Sequence, residues 1–230
     1  VSGYAKNFLP KKKTPLRYAK YSFDPIMGVT AYPLSFHLLM LSITEGGLRI
    51  LMRRRGFERR TIGQLAYFYH PGTKKDQNST FEYPSNDEDE SIPVVFCHGI
   101  GIGLIMYIDL IDKILALGRP IFLPEIPYVT GFRAWTSSSS VLTPNAVASN
   151  LKAMIAVNGF LKASWMGHSF GTSWLSYLCK LAPQIMECVV FIDPICFKLH
   201  DPYLAKQFVY HQANRGSPSY MIRTDMMVNW

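Results

Sequence analysis

Residues Ala163 to Pro183 read ASWMGHSFGTSWLSYLCKLAP, and this stretch decides the fold. It begins with a short apolar run, continues as Gly167-His168-Ser169-Phe170-Gly171, and ends in a helical pattern that Pro183 stops. A G-x-S-x-G pentapeptide between a strand and a helix is the arrangement of a nucleophile elbow, a sharp turn that exposes the serine hydroxyl. We therefore predict a strand, a tight turn with Ser169 at its apex, and a helix.

The residue types of the pentapeptide suit this turn. A side chain at Gly167 or Gly171 would collide with the adjoining strand or helix, and Ser169 must take a strained backbone conformation. Its hydroxyl would then lie near the N-terminus of the helix, where the amide of Phe170 and the helix dipole can stabilise an oxyanion. Ser169 is thus the predicted nucleophile. The alternative is an ordinary serine in a glycine-rich turn.

A second motif follows an earlier apolar run, where Val94–Cys97 leads into His98-Gly99-Ile100-Gly101-Ile102-Gly103. A dinucleotide-binding loop would need G-x-G-x-x-G, and Leu104 occupies the position of its last glycine. No acidic residue follows the next strand at the distance that a ribose contact requires. The glycines instead predict a loop whose backbone approaches another group closely.

Together the two motifs resemble the α/β-hydrolase fold, and more narrowly a fungal-type group of membrane-associated hydrolase-like proteins, over about residues 57–197. The resemblance implies an oxyanion hole made by two amides, those of Ile100 in the loop after the His-Gly strand and of Phe170 after the nucleophile. Gly99 and Gly101 would let that loop approach the site. His98 and His168 belong to the motifs and are expected to be structural or to shape the hole.

In that family the acid and the histidine of the triad follow the nucleophile along the chain, each after a later strand. Here one predicted strand follows the elbow, and it ends at Asp193-Pro194. Asp193 is therefore the candidate acid, although an Asp-Pro pair is also an ordinary turn. His200 and His211 follow too soon to be the general base. We expect the chain to be a fragment whose remaining triad residues lie beyond Trp230.

The rest of the pattern alternates strands with helices. Strands are predicted at 65–69, 93–97, 120–123 and 188–192, and helices at 104–117 and 146–157. This alternation predicts an α/β fold with a mostly parallel sheet and helices on both faces, incomplete at the C-terminus. Residues 57–230 are assigned to this catalytic domain, with 198–216 as a lid.

The N-terminal segment, residues 1–56, has a different composition. Residues 1–60 hold 12 Lys and Arg against 3 acids, a charge of +9, whereas the whole chain carries +8. Residues 25–44 form a run of 20 without formal charge, near the length that a membrane span needs. Pro25, Pro33 and His37 weaken the case for a span. Spacings of three, four and seven residues between apolar positions from Leu34 to Met52 favour a helix lying on the protein or in a membrane interface.

The clusters of lysine and arginine in the N-terminal segment indicate which kind of partner the protein could bind. Aromatic residues are not interleaved with Lys11-Lys12-Lys13 or with the arginines between 53 and 60, so an anionic membrane surface is favoured over nucleic acid. The four cysteines form no C-x-x-C pair and are predicted to be buried free thiols rather than metal ligands or disulfides. No metal or organic cofactor is implied.

These observations predict a serine hydrolase that forms an acyl-enzyme from an ester, thioester or amide of apolar character, such as a lipid ester. Two alternatives remain open. An acyltransferase would use the same elbow and deliver the acyl group to an alcohol. A hydrolase-like fold without catalysis would only bind or scaffold a partner, because fold alone does not imply activity.

Overall fold

The computed structural model describes residues 32–73, 92–130, 141–198, 200–203, 214 and 220. Their strands are β1 (Glu58–Ile62), β2 (Leu65–His70), β3 (Val94–Cys97), β4 (Ile121–Pro124), β5 (Ala163–His168) and β6 (Met186–Ile192). Their α-helices are α1 (Leu34–Leu41), α2 (Leu48–Arg54), α3 (Ile108–Leu115), α4 (Pro144–Val157) and α5 (Gly171–Leu181). A π-helical segment, Ser42–Gly47, joins α1 to α2, and short 3-10 turns lie at Gly103–Tyr107, Pro127–Val129 and Pro183–Ile185.

The strands form one sheet in the order β1-β2-β4-β3-β5-β6. β2 runs antiparallel to β1 and β4, whereas β4, β3, β5 and β6 run parallel to one another. This confirms the predicted α/β class with a mostly parallel sheet. Cys97 at the end of β3 pairs with Gly167 in β5. The loops that follow these two strands therefore begin side by side at the carboxyl edge of the sheet.

Helices cover both faces of the sheet, as predicted. Successive side chains of a strand point to opposite faces, and β3 shows this with Val95 and Cys97 in one apolar cluster and Val94 and Phe96 in the other. The first cluster includes buried residues of α4 and α5, and the second includes buried residues of α2 and α3. Each fully buried large apolar side chain contributes roughly 1.5–3 kcal/mol.

The N-terminal helix has two parts. Leu48 and Met52 of α2 are buried in the same cluster as the sheet, whereas α1 has no buried residue. The apolar positions from Leu34 to Met52 therefore do not share one environment. The π-helical segment accounts for this difference. Its hydrogen bonds span five residues instead of four, so the apolar side chains of α2 point in a different direction around the helix axis from those of α1. In the described chain Leu34–Arg54 is the one helix whose length and composition would allow it to cross a membrane.

Two ion pairs tie the N-terminal elements to the rest of the domain. Arg55, just after α2, donates two hydrogen bonds to Asp112 of α3 at 2.6 and 2.9 Å. These bonds raise the pKa of Arg55 and lower that of Asp112. Arg59 of β1 lies 2.6 Å from the buried carboxylate of Glu125, which raises the pKa of Arg59. The segment after α2 is thus fixed to both α3 and the end of β4.

The cysteines differ from the prediction in part. All four are free, but only Cys97 is buried; Cys179 and Cys188 are exposed, and Cys196 is partly exposed. The expectation of buried thiols is therefore wrong for the other three. Cys188 is exposed because β6 is the outermost strand of the described sheet, whereas Cys179 lies near the C-terminal end of α5 and Cys196 in the segment after β6. Burial raises the pKa of Cys97 to about 12. Of the predicted lid at 198–216, only residues 198, 200–203 and 214 are among the described residues.

Candidate active site

Ser169 lies at the apex of the turn between β5 and α5. Its φ is 49°, in the left-handed region, where a residue other than glycine bears a cost of roughly 1–2 kcal/mol. The turn is held from both sides. The Ser169 amide donates to the carbonyl of Ile192 at the end of β6 (3.0 Å), and the Ser169 carbonyl accepts the amide of Thr172 in α5 (3.0 Å). The unusual backbone of Ser169 is therefore built into the junction of two strands and a helix.

The two glycines of the pentapeptide are required by close packing. A Cβ at Gly171 would overlap the carbonyl oxygen of Cys97 in β3, and a Cβ at Gly167 would lie 2.8 Å from Cδ1 of Leu175 in α5. These are contacts with a neighbouring strand and with the following helix, as the sequence led us to expect. The turn can form only because both positions lack a side chain.

The loop after β3 touches the turn through Gly99. A Cβ at position 99 would lie 3.0 Å from the Cβ of Ser169 and 3.0 Å from Nδ1 of His168. Further along the loop, the amide of Gly101 donates to the carbonyl of Val129 at 3.1 Å. The structure thus brings the two sequence motifs together, with the glycine-rich loop packed directly on the serine turn.

The backbone amides of the Ser169 turn and of the loop that packs on it differ in their hydrogen bonding. The Gly99 amide donates to the hydroxyl of Tyr107 and the Gly101 amide to Val129. By contrast, within the described part of the chain the amides of Ile100 and Phe170 have no hydrogen-bond acceptor. Unpaired amides next to a serine are suited to binding a developing oxyanion. They are the two amides that the family resemblance assigns to this role, which stays a prediction.

His98 is a structural residue of the loop. Its ring is buried, and its Nε2 accepts the amide of Ile126 at 3.0 Å. Because that nitrogen accepts, the neutral ring carries its proton on Nδ1, which donates to the carbonyl of Gly99 at 2.8 Å. Both nitrogens are therefore engaged in holding the loop, and neither is directed at the serine hydroxyl.

Tyr107 is a site residue that the sequence analysis missed. Its hydroxyl accepts the amide of Gly99 at 3.0 Å and lies 2.8 Å from Nδ1 of His168, to which it can donate. Burial raises the pKa of Tyr107, so the hydroxyl keeps its proton at neutral pH. No pattern in the sequence points to this residue, because a tyrosine just before a helix is unremarkable and its two partners are far apart along the chain.

Asp193 directly follows the residue that binds the Ser169 amide. It also has a positive φ, 46°, and Ser169 and Asp193 are the two residues other than glycine with this conformation in the described chain. Its carboxylate is exposed at the same edge of the sheet as the serine turn. His200 is exposed a few residues later, and His211 lies outside the described residues. Among the described residues no imidazole is hydrogen-bonded to the Ser169 hydroxyl.

Some apolar residues near the Ser169 turn belong to the core, and others are exposed. Trp165, Trp174 and Leu104 are fully buried and belong to the core. Near the turn, Phe170 is partly exposed, and Ile100 and Met106 are exposed. The described residues contain no group of three His, Cys, Asp or Glu side chains that could hold a metal ion.

Neither the sequence profile of a known protein family nor the sequence of a curated protein matches this chain. Among solved structures, carboxylesterase CesB (YbfK) from Bacillus subtilis matches with a TM-score of 0.54 and 17% identity, covering 81% of this chain and 60% of its own. The chain has an α/β-hydrolase fold. In this α/β-hydrolase fold, β5 and α5 flank the serine turn, and the loop after β3 packs against it.

Two further structures are similar to the α/β-hydrolase fold of this chain at a lower level. One is the α/β hydrolase MGS-MChE2 from a lagoon-sediment metagenome, with a TM-score of 0.43, 18% identity, and coverage of 73% of this chain and 62% of its own. The other is epoxide hydrolase VrEH1 from Vigna radiata, with a TM-score of 0.43, 17% identity, and coverage of 60% and 40%. The chain therefore spans about two fifths to three fifths of the length of these structures.

Proposed function

We propose that this protein is a serine hydrolase in which Ser169 attacks the carbonyl carbon of an apolar carboxylic ester, thioester or amide. One observation carries the proposal: Ser169 is held with a φ of 49° at a strand-to-helix turn, on which the loop containing Gly99 packs. Backbone strain at a residue other than glycine is typical of functional sites. The fold itself, which it shares with a carboxylesterase, is consistent with this activity.

The reaction would proceed in two similar halves. The hydroxyl of Ser169 loses its proton to a general base while its oxygen bonds to the carbonyl carbon, and the carbonyl electron pair moves onto its oxygen. The amides of Ile100 and Phe170 would stabilise that oxyanion, each contributing on the order of 3 kcal/mol. The intermediate then expels the alcohol, thiol or amine, which takes the proton from the base. Water repeats the sequence on the acyl-enzyme and releases the acid.

The proposed step needs a base and a residue that orients it. We propose Asp193 for the orienting acid, because the strand that precedes it binds the Ser169 amide through Ile192. A carboxylate in that role stabilises the imidazolium that forms when histidine accepts the serine proton. Among the described residues no base is hydrogen-bonded to the Ser169 hydroxyl, and this observation favours the second candidate function, a hydrolase-like protein that binds an apolar ligand without turnover.

Pre-steady-state kinetics with p-nitrophenyl esters of graded acyl length can test the proposal on the full-length protein. We expect a burst of p-nitrophenol equal to the enzyme concentration, which Ser169→Ala abolishes and Ser173→Ala retains. Ser173 is a suitable control because its buried hydroxyl lies one turn further along α5 and has no hydrogen-bond partner among the described residues. A full-length protein that binds the esters but releases no p-nitrophenol, either in a burst or at steady state, would support the non-catalytic alternative.

The same experiment separates hydrolase from acyltransferase. If water is the acceptor, the free acid accumulates and added alcohol has little effect on the products. If an alcohol is the acceptor, a new ester replaces the acid as the alcohol concentration rises. Both outcomes require the acyl-enzyme at Ser169.

We also propose that the protein associates with membranes. The support is the exposed apolar surface of α1, which belongs to a helix long and apolar enough to cross a bilayer. A membrane location would suit a hydrolase of apolar esters, because such substrates partition into lipid.

A further inference from the structure

The helix from Leu34 to Arg54 has two different surfaces along its length. In α2, Leu48 and Met52 lie in the core beside Ile111 of α3. In α1 no residue is buried, and Leu34, Leu38 and Leu39 are 65%, 54% and 58% exposed. Apart from Ser35 and His37, all residues of α1 are apolar, so it has no polar face. A helix that is hydrophobic all round normally lies in a protein core or in lipid.

The exposed part is too short to cross a bilayer. It runs from Leu34 to Ile43, ten residues, or about 15 Å at 1.5 Å per residue. That is roughly half of a hydrocarbon core about 30 Å thick. A full span would pull Leu48 and Met52 out of the core, and the vacated volume would cost about 2–5 kcal/mol for each side chain. The packing of α2 therefore limits insertion to one leaflet.

Charged side chains mark where the insertion would stop. Arg49, Arg53 and Arg54 of α2 are exposed, and Ile50 between them is exposed as well. Glu45 pairs with Arg49 at 3.5 Å, and the other two arginines add positive charge next to the apolar surface. A cationic residue near an anionic leaflet contributes about 1 kcal/mol. This combination of apolar and cationic surface complements the headgroup region of an anionic membrane.

The packed part of the helix, not α1 itself, borders the loop after β3. A small cavity is lined by Thr44 and Leu48 from the helix and by His98, Ile102 and Gly103 from the loop after β3. That loop contains Ile100 and contacts the Ser169 turn through Gly99. Because α1 continues directly into this packed segment, a membrane that receives α1 would lie on the side of the domain that carries the proposed oxyanion loop.

We propose that α1 inserts into one leaflet of an anionic membrane, with the arginines of α2 at the headgroups, and that the substrates are lipid esters which reach Ser169 from that leaflet. The substrate class rests on the proposed hydrolase function. The membrane contact does not, since it follows from the exposed helix and its charges.

Binding to vesicles tests the contact, using full-length protein and vesicles of phosphatidylcholine with or without phosphatidylserine. We expect binding to the mixed vesicles that weakens with salt. Leu38→Glu combined with Leu39→Glu should lower the affinity at least tenfold. Leu161→Glu is the matched control, because Leu161 is 88% exposed just before β5, at the opposite edge of the sheet, and should have no effect. Equal binding by all three proteins would overturn the proposal.

The depth of the helix distinguishes one leaflet from a span. We compare the variants Leu34→Trp and Ile43→Trp. The quenching of their tryptophan fluorescence by lipids brominated at increasing depth, after subtraction of the wild-type signal, gives the depth of each position. Insertion into one leaflet predicts that position 34 is deeper than position 43, which lies near the headgroups. A span predicts position 43 near the midplane and contradicts the proposal. A second result would also contradict the proposal: wild-type protein that dimerises through α1 and binds no vesicles, while the double Leu→Glu variant is monomeric.

Comparison of two substrates tests the substrate class. The double Leu→Glu variant should hydrolyse a soluble short-chain ester at the wild-type rate and a vesicle-embedded ester at least tenfold more slowly. Equal rates on the embedded ester would overturn the assignment to lipid esters. Failure of the proposed function gives a different result, in which wild type and Ser169→Ala hydrolyse neither ester while vesicle binding persists.

Discussion

The hydroxyl of Tyr107 lies 2.8 Å from Nδ1 of His168 and accepts the amide of Gly99 at 3.0 Å. One side chain thus joins the glycine-rich loop to the last residue of β5, immediately before Ser169. The connection is one of the bonds that fix the loop containing the Ile100 amide, together with those of His98 and Gly101. Tyr107 is therefore a positioning residue in the proposed mechanism, acting through the loop and not on the substrate.

Tyr107→Phe should lower kcat of the proposed hydrolysis about 10- to 100-fold, since small displacements of a catalytic group have effects of this size. KM should change little, because the hydroxyl is engaged by protein groups and not by substrate. The measurement is steady-state kinetics on a soluble ester. Tyr67→Phe is the control, as it also removes a hydroxyl from a buried tyrosine, one that accepts from Asn158 at the end of α4. Equal losses of kcat in both variants would contradict the positioning role.

Gly171→Ala should destabilise the fold by roughly 1–3 kcal/mol or prevent folding, because the added Cβ would overlap the carbonyl of Cys97. Gly46→Ala provides the contrast. Nothing lies within 4 Å of a Cβ at position 46 in the π-helical segment. Alanine there should be neutral or stabilise by about 0.5–1 kcal/mol. Urea unfolding measures both, and a Gly171→Ala protein as stable as wild type would show that β3 does not pack on the turn as described.

Alanine variants are usually more stable than glycine variants, and the backbone strain at Ser169 predicts the opposite order there. Ser169→Gly should be more stable than Ser169→Ala by about 1 kcal/mol, because only glycine adopts a φ of 49° without cost. At Ser176, inside α5, the order should reverse, with the alanine variant more stable by about 1 kcal/mol. Both pairs lack the hydroxyl, so the comparison isolates the backbone. The same order at both positions would show that the turn is unstrained.

The buried thiol of Cys97 predicts a loss of stability at alkaline pH. Its pKa rises from 9.0 to about 12 on folding, so above pH 9 the unfolded chain releases a proton that the folded protein retains. The free energy of unfolding should then fall by up to about 1.4 kcal/mol per pH unit through this group. Burial also raises the pKa of Tyr107 and Tyr128, which add to the loss above pH 10.

Unfolding between pH 8 and 10 isolates the thiol. The Cys97→Ala protein should show a shallower decline than wild type, whereas Cys188→Ala, which changes an exposed thiol, should keep the wild-type slope. Identical slopes for wild type and Cys97→Ala would mean that the thiol is not shielded from water.

The sequence was sufficient for the fold where local patterns and sterics dominate. The glycines at 167 and 171 predicted close contacts with a helix and a strand, and the alternation of strands and helices predicted the parallel sheet. Both depend on short-range geometry that residue type expresses directly. The two motifs also come together as expected, because the ends of adjacent parallel strands lie at one edge of the sheet.

The remaining features depend on contacts between distant residues. Tyr107 acquires its role only when Gly99 and His168 meet at its hydroxyl, and nothing in their spacing indicates this. The division of the N-terminal helix into a packed and an exposed part follows from where α2 docks and from the π-helical segment. A periodicity of apolar residues cannot indicate which turns of a helix become buried.

Covalent labelling of the full-length protein by a fluorophosphonate probe, with the modified peptide identified by mass spectrometry, tests the catalytic role of Ser169 most directly. We predict one phosphonylated residue, Ser169, with labelling abolished in Ser169→Ala and retained in Ser173→Ala. Heat-denatured protein should not react, because the reactivity depends on the folded turn. Labelling of Ser169→Ala at the wild-type level, or a folded full-length protein that the probe leaves unmodified at Ser169, would contradict the assignment of this serine as the nucleophile.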